Sequence, residues 1–147
     1  MADWVHVLLV EDEPLVALVT AQALRQVPAV AEVTIAVDGE DALTLLRSGA
    51  VRPEHLVILT DLSMPRMSGL ELVAAVKQIP ALRGKPIAVL TTSTDPADRE
   101  AALALHVAAY FDKGGGRSYL EALVSWLRGY AATLAPSPGT FPRLAPA

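Results

Sequence analysis

The chain contains no cysteine, which excludes disulfides, thiol nucleophiles and thiolate-bound metals together. It also lacks any apolar run approaching the ~18 residues that a membrane-spanning helix needs. The mean hydropathy of +0.39 arises from Ala, Val and Leu in short blocks broken by charge. Basic residues are in deficit, 12 Lys and Arg against 16 Asp and Glu, and the resulting charge of −4 argues against a nucleic-acid-binding face. Histidine is scarce, and His6, His55 and His106 are scattered without metal-ligand spacing. Lysine is scarcer than arginine: Lys77, Lys85 and Lys113 are the only three. The opening Met1-Ala2-Asp3-Trp4 has no charged-then-apolar signal layout, so a cytoplasmic, non-membrane protein is expected.

What is present is a regular alternation. Period-two and apolar runs predict strands at 5–10, 32–37, 56–60, 86–91 and 107–113. Helical spacing and punctuation predict helices at 14–26, 42–47, 68–79, from 95 to about 106, and from Ser118 onward. Pro14 and Pro96 suit first helical turns, and Ser68-x-x-Glu71 and Ser118-x-x-Glu121 have the form of capping boxes. In the first helix Leu15, Val16, Val19, Ala23 and Leu24 are expected to form the core face. Five strand–helix units imply a parallel α/β sheet with helices on both faces, in one domain over 1–132. Residues 133–147 hold four prolines and one charge and read as an irregular tail.

The chemistry gathers where strands end. Leu56 to Thr60 empties onto Asp61, and Val7 to Val10 onto Glu11 and Asp12. In an open parallel sheet the carboxyl ends of the strands form the ligand-binding edge. Three carboxylates crowded there repel one another: two charges ~4 Å apart cost about 4 kcal/mol at an effective dielectric near 20. A hard divalent cation, Mg²⁺ first, is the economical remedy. Thr91 ends the fourth strand and Lys113 the fifth at the same edge. Carboxylates for a metal, one a potential nucleophile, with a hydroxyl and an ammonium, suit phosphoryl transfer onto a carboxylate.

These segments resemble the receiver domain of two-component response regulators over roughly residues 5–130. The carrying motifs are Leu8-Leu9-Val10-Glu11-Asp12, Thr60-Asp61-Leu62-Ser63-Met64-Pro65-Arg66-Met67-Ser68-Gly69, Leu90-Thr91-Thr92-Ser93 and Tyr110-Phe111-Asp112-Lys113. The resemblance implies a flavodoxin-like (βα)5 fold with strand order 2-1-3-4-5. It implies Asp61 as phosphoacceptor from a sensor kinase's phosphohistidine, and Mg²⁺ held by Asp12, Asp61 and the Ser63 carbonyl, with Glu11 acting through water. It further implies Thr91 and Tyr110 as a switch pair, and Ser63 and Ser93 as positions that tune hydrolysis. Single-domain regulators paired with bacterial phytochromes are the most similar in pattern. One departure stands out: proline usually comes after the lysine, and here Gly114 does, predicting a less fixed loop.

Output is then expected through protein contact. A homodimer through the side running from strand four to helix five is anticipated, with Tyr119, Trp126 and Tyr130 of the last helix left over for it. The kinase would dock near the first helix. Two other readings use the same residues. A haloacid-dehalogenase-type phosphatase would want its nucleophile on the first strand and a second Asp at the position of Ser63. An unphosphorylated adaptor with this fold would not need Asp12, Asp61, Thr91 and Lys113 together.

Overall fold

The computed structural model describes residues 5–134; Trp4 and the expected proline-rich tail beyond Leu134 lie outside them. The elements are β1 (Val5–Val10), α1 (Pro14–Arg25), β2 (Val30–Ala36), α2 (Gly39–Ser48), β3 (Leu56–Thr60), α3 (Gly69–Lys77), β4 (Ile87–Thr91), α4 (Pro96–Ala104), β5 (Ala109–Asp112) and α5 (Ser118–Thr133). The strands form one sheet in the order β2-β1-β3-β4-β5, every pair parallel. β3 and β4 are buried at every position, as strands covered by helices on both faces must be.

Alternation along each strand divides the core in two. Val7, Leu9, Val57, Leu59 and Leu90 face α1 and α5, where Leu24, Leu123 and Leu127 meet them. Leu8, Val10, Leu56, Ile58 and Ile87 pack on the opposite face with Leu72, Val73 and Val76 of α3. Each such side chain, fully buried, stabilises the fold by about 1.5–3 kcal/mol.

Local chemistry explains where the boundaries differ from expectation. The Asp38 side chain accepts from the Asp41 N–H, so α2 starts at Gly39, and Gly49 at φ 81° ends it. Pro86 lies outside β4 because it has no N–H to donate, but its carbonyl still accepts from the Ile58 N–H. β5 is shorter than expected because His106, at φ 62°, turns the chain before it. Ser68 and Glu71 form both halves of their capping box. The anticipated second box does not cap α5: Arg117 is its N-cap, and Ser118 already lies inside the first turn.

The core face of α1 is another correction. Ala17, Thr20, Ala21 and Leu24 are buried, whereas Leu15 is 75% exposed. The helix is apolar almost all round, so periodicity admitted two faces. The one with small residues packs on the sheet because Ala and Thr permit close approach.

Candidate functional site

β1 and β3 are neighbours in register, with Val10 opposite Thr60, so the residues just beyond them emerge side by side. Glu11 is anchored by its N–H to the Ala36 carbonyl, and the Asp61 N–H bonds the Val10 carbonyl. Carboxylate oxygens of Glu11, Asp12 and Asp61 all lie within 4.8 Å of one another. Parallel pairing alone accounts for the cluster, as expected.

Lys113 enters from the far side of the sheet's edge. Its Nζ donates to Glu11 Oε1 at 2.9 Å and to Asp61 Oδ2 at 3.3 Å, and its side chain is only 8% exposed. It is not the last residue of β5 but the first of a single 3₁₀ turn, Lys113–Gly115. That turn also corrects the expectation of a loose loop. Asp112 accepts from the Gly114 N–H at 2.7 Å, and a Cβ at Gly114 would come within 3.0 Å of the same carboxylate. The absence of proline is met by an Asp cap, and no peptide bond among the described residues is cis.

Charge and burial act against each other here. Burial pushes the Glu11 carboxyl above its ordinary range; the hydrogen bond and charge of Lys113 pull it back, and Asp61 pushes it up again. Burial alone would lower the Lys113 ammonium, but the bond to Glu11 and the charges of Asp61 and Glu11 outweigh it and raise the group. Three carboxylates and one ammonium leave two negative charges uncompensated, all on hard oxygen donors and with Glu11 buried. That donor set fits a divalent cation with oxygen coordination.

Asp61 itself is oriented by backbone. Its Oδ1 accepts from the Leu62 N–H at 2.6 Å and more weakly from the Ser63 N–H at 3.4 Å, while Oδ2 faces Lys113. Thr91 is 1% exposed at the end of β4, and its Oγ1 accepts from the Ser93 N–H. Ser93 Oγ donates to Asp98 Oδ2 at 2.6 Å, which ties the β4–α4 loop to the first turn of α4. Tyr110 is half-buried beside a cavity of about 340 Å³ shared with Ser93, Pro96 and Arg99. The Arg99 guanidinium lies 5.2 Å over its ring.

Sequence reasoning did not find Asp98 and Arg99, because a contact across a loop has no period. It also missed the exposed Leu18 and Val37, which flank a cavity of about 320 Å³ bordered by Glu11 and Asp12. The α5 aromatics are less available than expected. Tyr119 hydrogen bonds Thr20 of α1 at 3.0 Å, while Trp126 meets Phe111 edge-on and stacks on Tyr130 against the core.

Comparison with known proteins agrees with this geometry. The model of the response regulator receiver domain matches residues 7–125. The chain is 32% identical over 135 residues to the probable methanogenesis regulatory protein FilR2 of Methanothrix harundinacea, covering 90% of this chain and 87% of that one. It is 32% identical over 127 residues to the response regulator Rcp1 of Synechocystis sp., covering 84% and 86%. Among solved structures it is similar to the phosphorylated cyanobacterial phytochrome response regulator RcpA, at TM-score 0.78 and 31% identity over 92% of this chain and 99% of that one. A Mn²⁺-bound structure of Rcp1 superposes at TM-score 0.71 and 31% identity, over 90% and 99%.

Proposed function

The chain belongs to the response regulator receiver family, and on that premise we propose that Asp61 takes a phosphoryl group from the phosphohistidine of a sensor histidine kinase, with the signal passed on by protein contact. The observation that carries this reading is the meeting of Glu11, Asp12, Asp61 and Lys113 at one end of the sheet. An Asp61 carboxylate oxygen attacks phosphorus in line; the O–P bond forms as the N–P bond breaks, and the imidazole nitrogen leaves with the electron pair. Lys113 offsets charge on the phosphoryl oxygens, and the Thr91 hydroxyl donates to one of them after releasing the Ser93 N–H. Asp12, Asp61 and the Ser63 carbonyl would hold Mg²⁺, Glu11 through water, and the ion would neutralise the developing charge. Ser63 and Ser93, both small, leave water a path to the acyl phosphate, so its slow hydrolysis is the only turnover we assign. The phosphatase reading fares worse, since Ser63 offers no carboxyl to protonate a leaving group.

The partner kinase we assign to the phytochrome class, on the similarity to Rcp1 and RcpA. Its histidine-bearing helix would meet Leu18 and Val37, which border the cavity beside Glu11 and Asp12, together with Leu15, three residues before Leu18 in α1; Leu15, Leu18 and Val37 are 75%, 48% and 56% exposed. Such side chains, clustered at the mouth of a reactive site, suit an apolar helical face. Leu15→Asp is expected to slow transfer from a radiolabelled, autophosphorylated phytochrome-type kinase about tenfold or more, while labelling by acetyl phosphate stays unchanged. Equal loss with both donors would show damage to the site, and no loss with either would remove this surface from the reading.

Output we place on the α4–β5–α5 side, as a homodimer in the cytoplasm. The α5 aromatics serve their own core, so the contact rests on α4, where Leu103 is 53% exposed, and on Tyr110 under Arg99. Inward movement of Tyr110 toward Thr91 would free Arg99 and change this surface; cation–π contacts of this kind are worth about 0.5–1 kcal/mol when exposed. We read 1–132 as the receiver unit and 133–147 as a proline-rich tail. Sedimentation of the full chain and of a truncation at Thr133, with and without beryllofluoride, is expected to show a phosphate-mimic-dependent dimer. A monomer in every condition contradicts it.

A further inference from the structure

The loop between β3 and α3 is fastened twice, and its second fastening touches none of the groups that take part in the phosphoryl transfer. At its root the Gly69 N–H bonds the Leu62 carbonyl at 2.9 Å, and Gly69 passes so close that a Cβ there would lie 2.0 Å from the Asp61 carbonyl oxygen. At its tip the chain turns through Arg66, a non-glycine residue at φ 66° in the left-handed region. From there the Arg66 side chain crosses to the β2–α2 corner. One guanidinium nitrogen pairs with Asp38, and Nε lies 3.3 Å from Glu40 Oε1. Met67 adds packing, since its side chain lies where a Cβ at Gly39 would fall, 2.8 Å from Cγ.

Asp38 makes this more than a surface ion pair. Its side chain is 3% exposed although it is a carboxylate, and it already caps α2 through the Asp41 N–H. Among the described residues the neutral donor to Asp38 is the Asp41 N–H and its cationic partner is Arg66, and a buried carboxylate needs such a partner. The guanidinium fork suits a fixed bridge between two carboxylates, which a lysine ammonium does not reproduce. Ser63 lies on the span between the two fastenings.

We propose that Arg66 is a positioning residue for the divalent cation: by latching the loop to the start of α2 it holds the Ser63 carbonyl where the metal needs it. The inference rests on the metal-site reading under Proposed function. Charge and geometry predict opposite signs, which makes it testable. If Arg66 acted only as a positive charge near the site, Arg66→Met would tighten divalent binding, because one repelling charge is gone. As a latch, its loss weakens binding, by about tenfold if it behaves as other groups that orient metal ligands do.

Calorimetric titration of the unphosphorylated full chain with Mg²⁺, repeated with Mn²⁺, reads this directly. Arg66→Met is expected to raise the dissociation constant about tenfold, and Arg66→Lys to restore part of it. Half-saturating Mg²⁺ for labelling by acetyl phosphate should rise in step, with the rate at saturating Mg²⁺ unchanged. In the cycle with Asp38→Asn, which keeps an acceptor for the Asp41 N–H, the double variant should bind as weakly as the weaker single variant and no more weakly, because the two residues form one latch. Unchanged or tighter binding by Arg66→Met, or recovery of wild-type affinity in the double variant, overturns the latch. A wild-type chain that takes up no Mg²⁺ overturns the metal-site reading beneath it, and the two failures are thereby distinct.

Discussion

Asp61→Asn is expected to lose hydroxylamine-labile phosphate entirely, whether the donor is acetyl phosphate or a phosphorylated kinase, while melting as a folded chain. The amide keeps the shape of the side chain, and its oxygen still accepts from the Leu62 N–H that orients Asp61 Oδ1. What it lacks is the anionic oxygen that attacks phosphorus. Neighbouring acids do not substitute. Glu11 is buried with its Oε1 engaged by Lys113 and its Oε2 by the Glu13 N–H. The variant also removes one of three negative charges at the cluster, so its apo form is expected to be no less stable than the wild type, and its Mg²⁺ affinity lower. Phosphate retained by Asp61→Asn under conditions that label the wild type would assign the acceptor elsewhere.

The second large effect is expected from Lys113→Met. With the ammonium gone, Glu11, 3% exposed, faces Asp61 with no compensating charge. Breaking one side of a buried ion pair costs about 3–5 kcal/mol, a large share of the roughly 5–15 kcal/mol that holds a typical domain together. The cost depends on pH in a definite direction. Glu11 is already raised from 4.5 by burial, and losing the two effects of Lys113 that lower it raises it further. An acid raised in the folded state loses stability as pH rises from its unfolded value through the folded one. The difference between variant and wild type is therefore small near pH 5 and grows toward pH 8. Lys113 in the wild type is raised above 10.5, so it stays charged throughout that window and its own titration weakens the fold only at more alkaline pH.

Mg²⁺ should reverse much of the loss. A ligand that binds only the folded state adds about 2.7 kcal/mol at a hundred times its dissociation constant, and without Lys113 the site attracts the cation more strongly. Urea unfolding at pH 5 and pH 8, with and without Mg²⁺, measures each of these. Labelling by acetyl phosphate should still fall about a hundredfold or more, as when one preorganised donor is taken from a developing charge. Equal stability of the two proteins at pH 8 without metal would contradict the account of the Glu11–Lys113 pair.

Much of this was legible in the chain because the ends of β1 and β3 are each marked by the acid next to them. An apolar run that stops at Glu11-Asp12 or at Asp61 places acids at one edge, and parallel order does the rest. The capping signal was read well at Ser68, where both halves of the box form. It misled at Ser118 because Gly116, at φ 77°, redirects the chain before the helix starts. Leu15 was misplaced because α1 is apolar on nearly every side, so its period does not select the face that packs. Long-range partners such as Arg66 with Asp38, and Ser93 with Asp98, were invisible for a different reason. Their pairing depends on separate segments meeting in space, and neither carries a repeating pattern.

The central claim is a phosphoryl group on one carboxylate, and borohydride trapping of the full chain after acetyl phosphate and Mg²⁺ tests it most directly. Reduction converts an aspartyl phosphate to homoserine, which peptide mass spectrometry places to the residue. The account predicts homoserine at position 61, dependent on Mg²⁺ and absent from Lys113→Met at the same short time of reaction. Homoserine at Asp12 or at any other aspartate, or trapping that proceeds equally well after the metal is chelated, would contradict it.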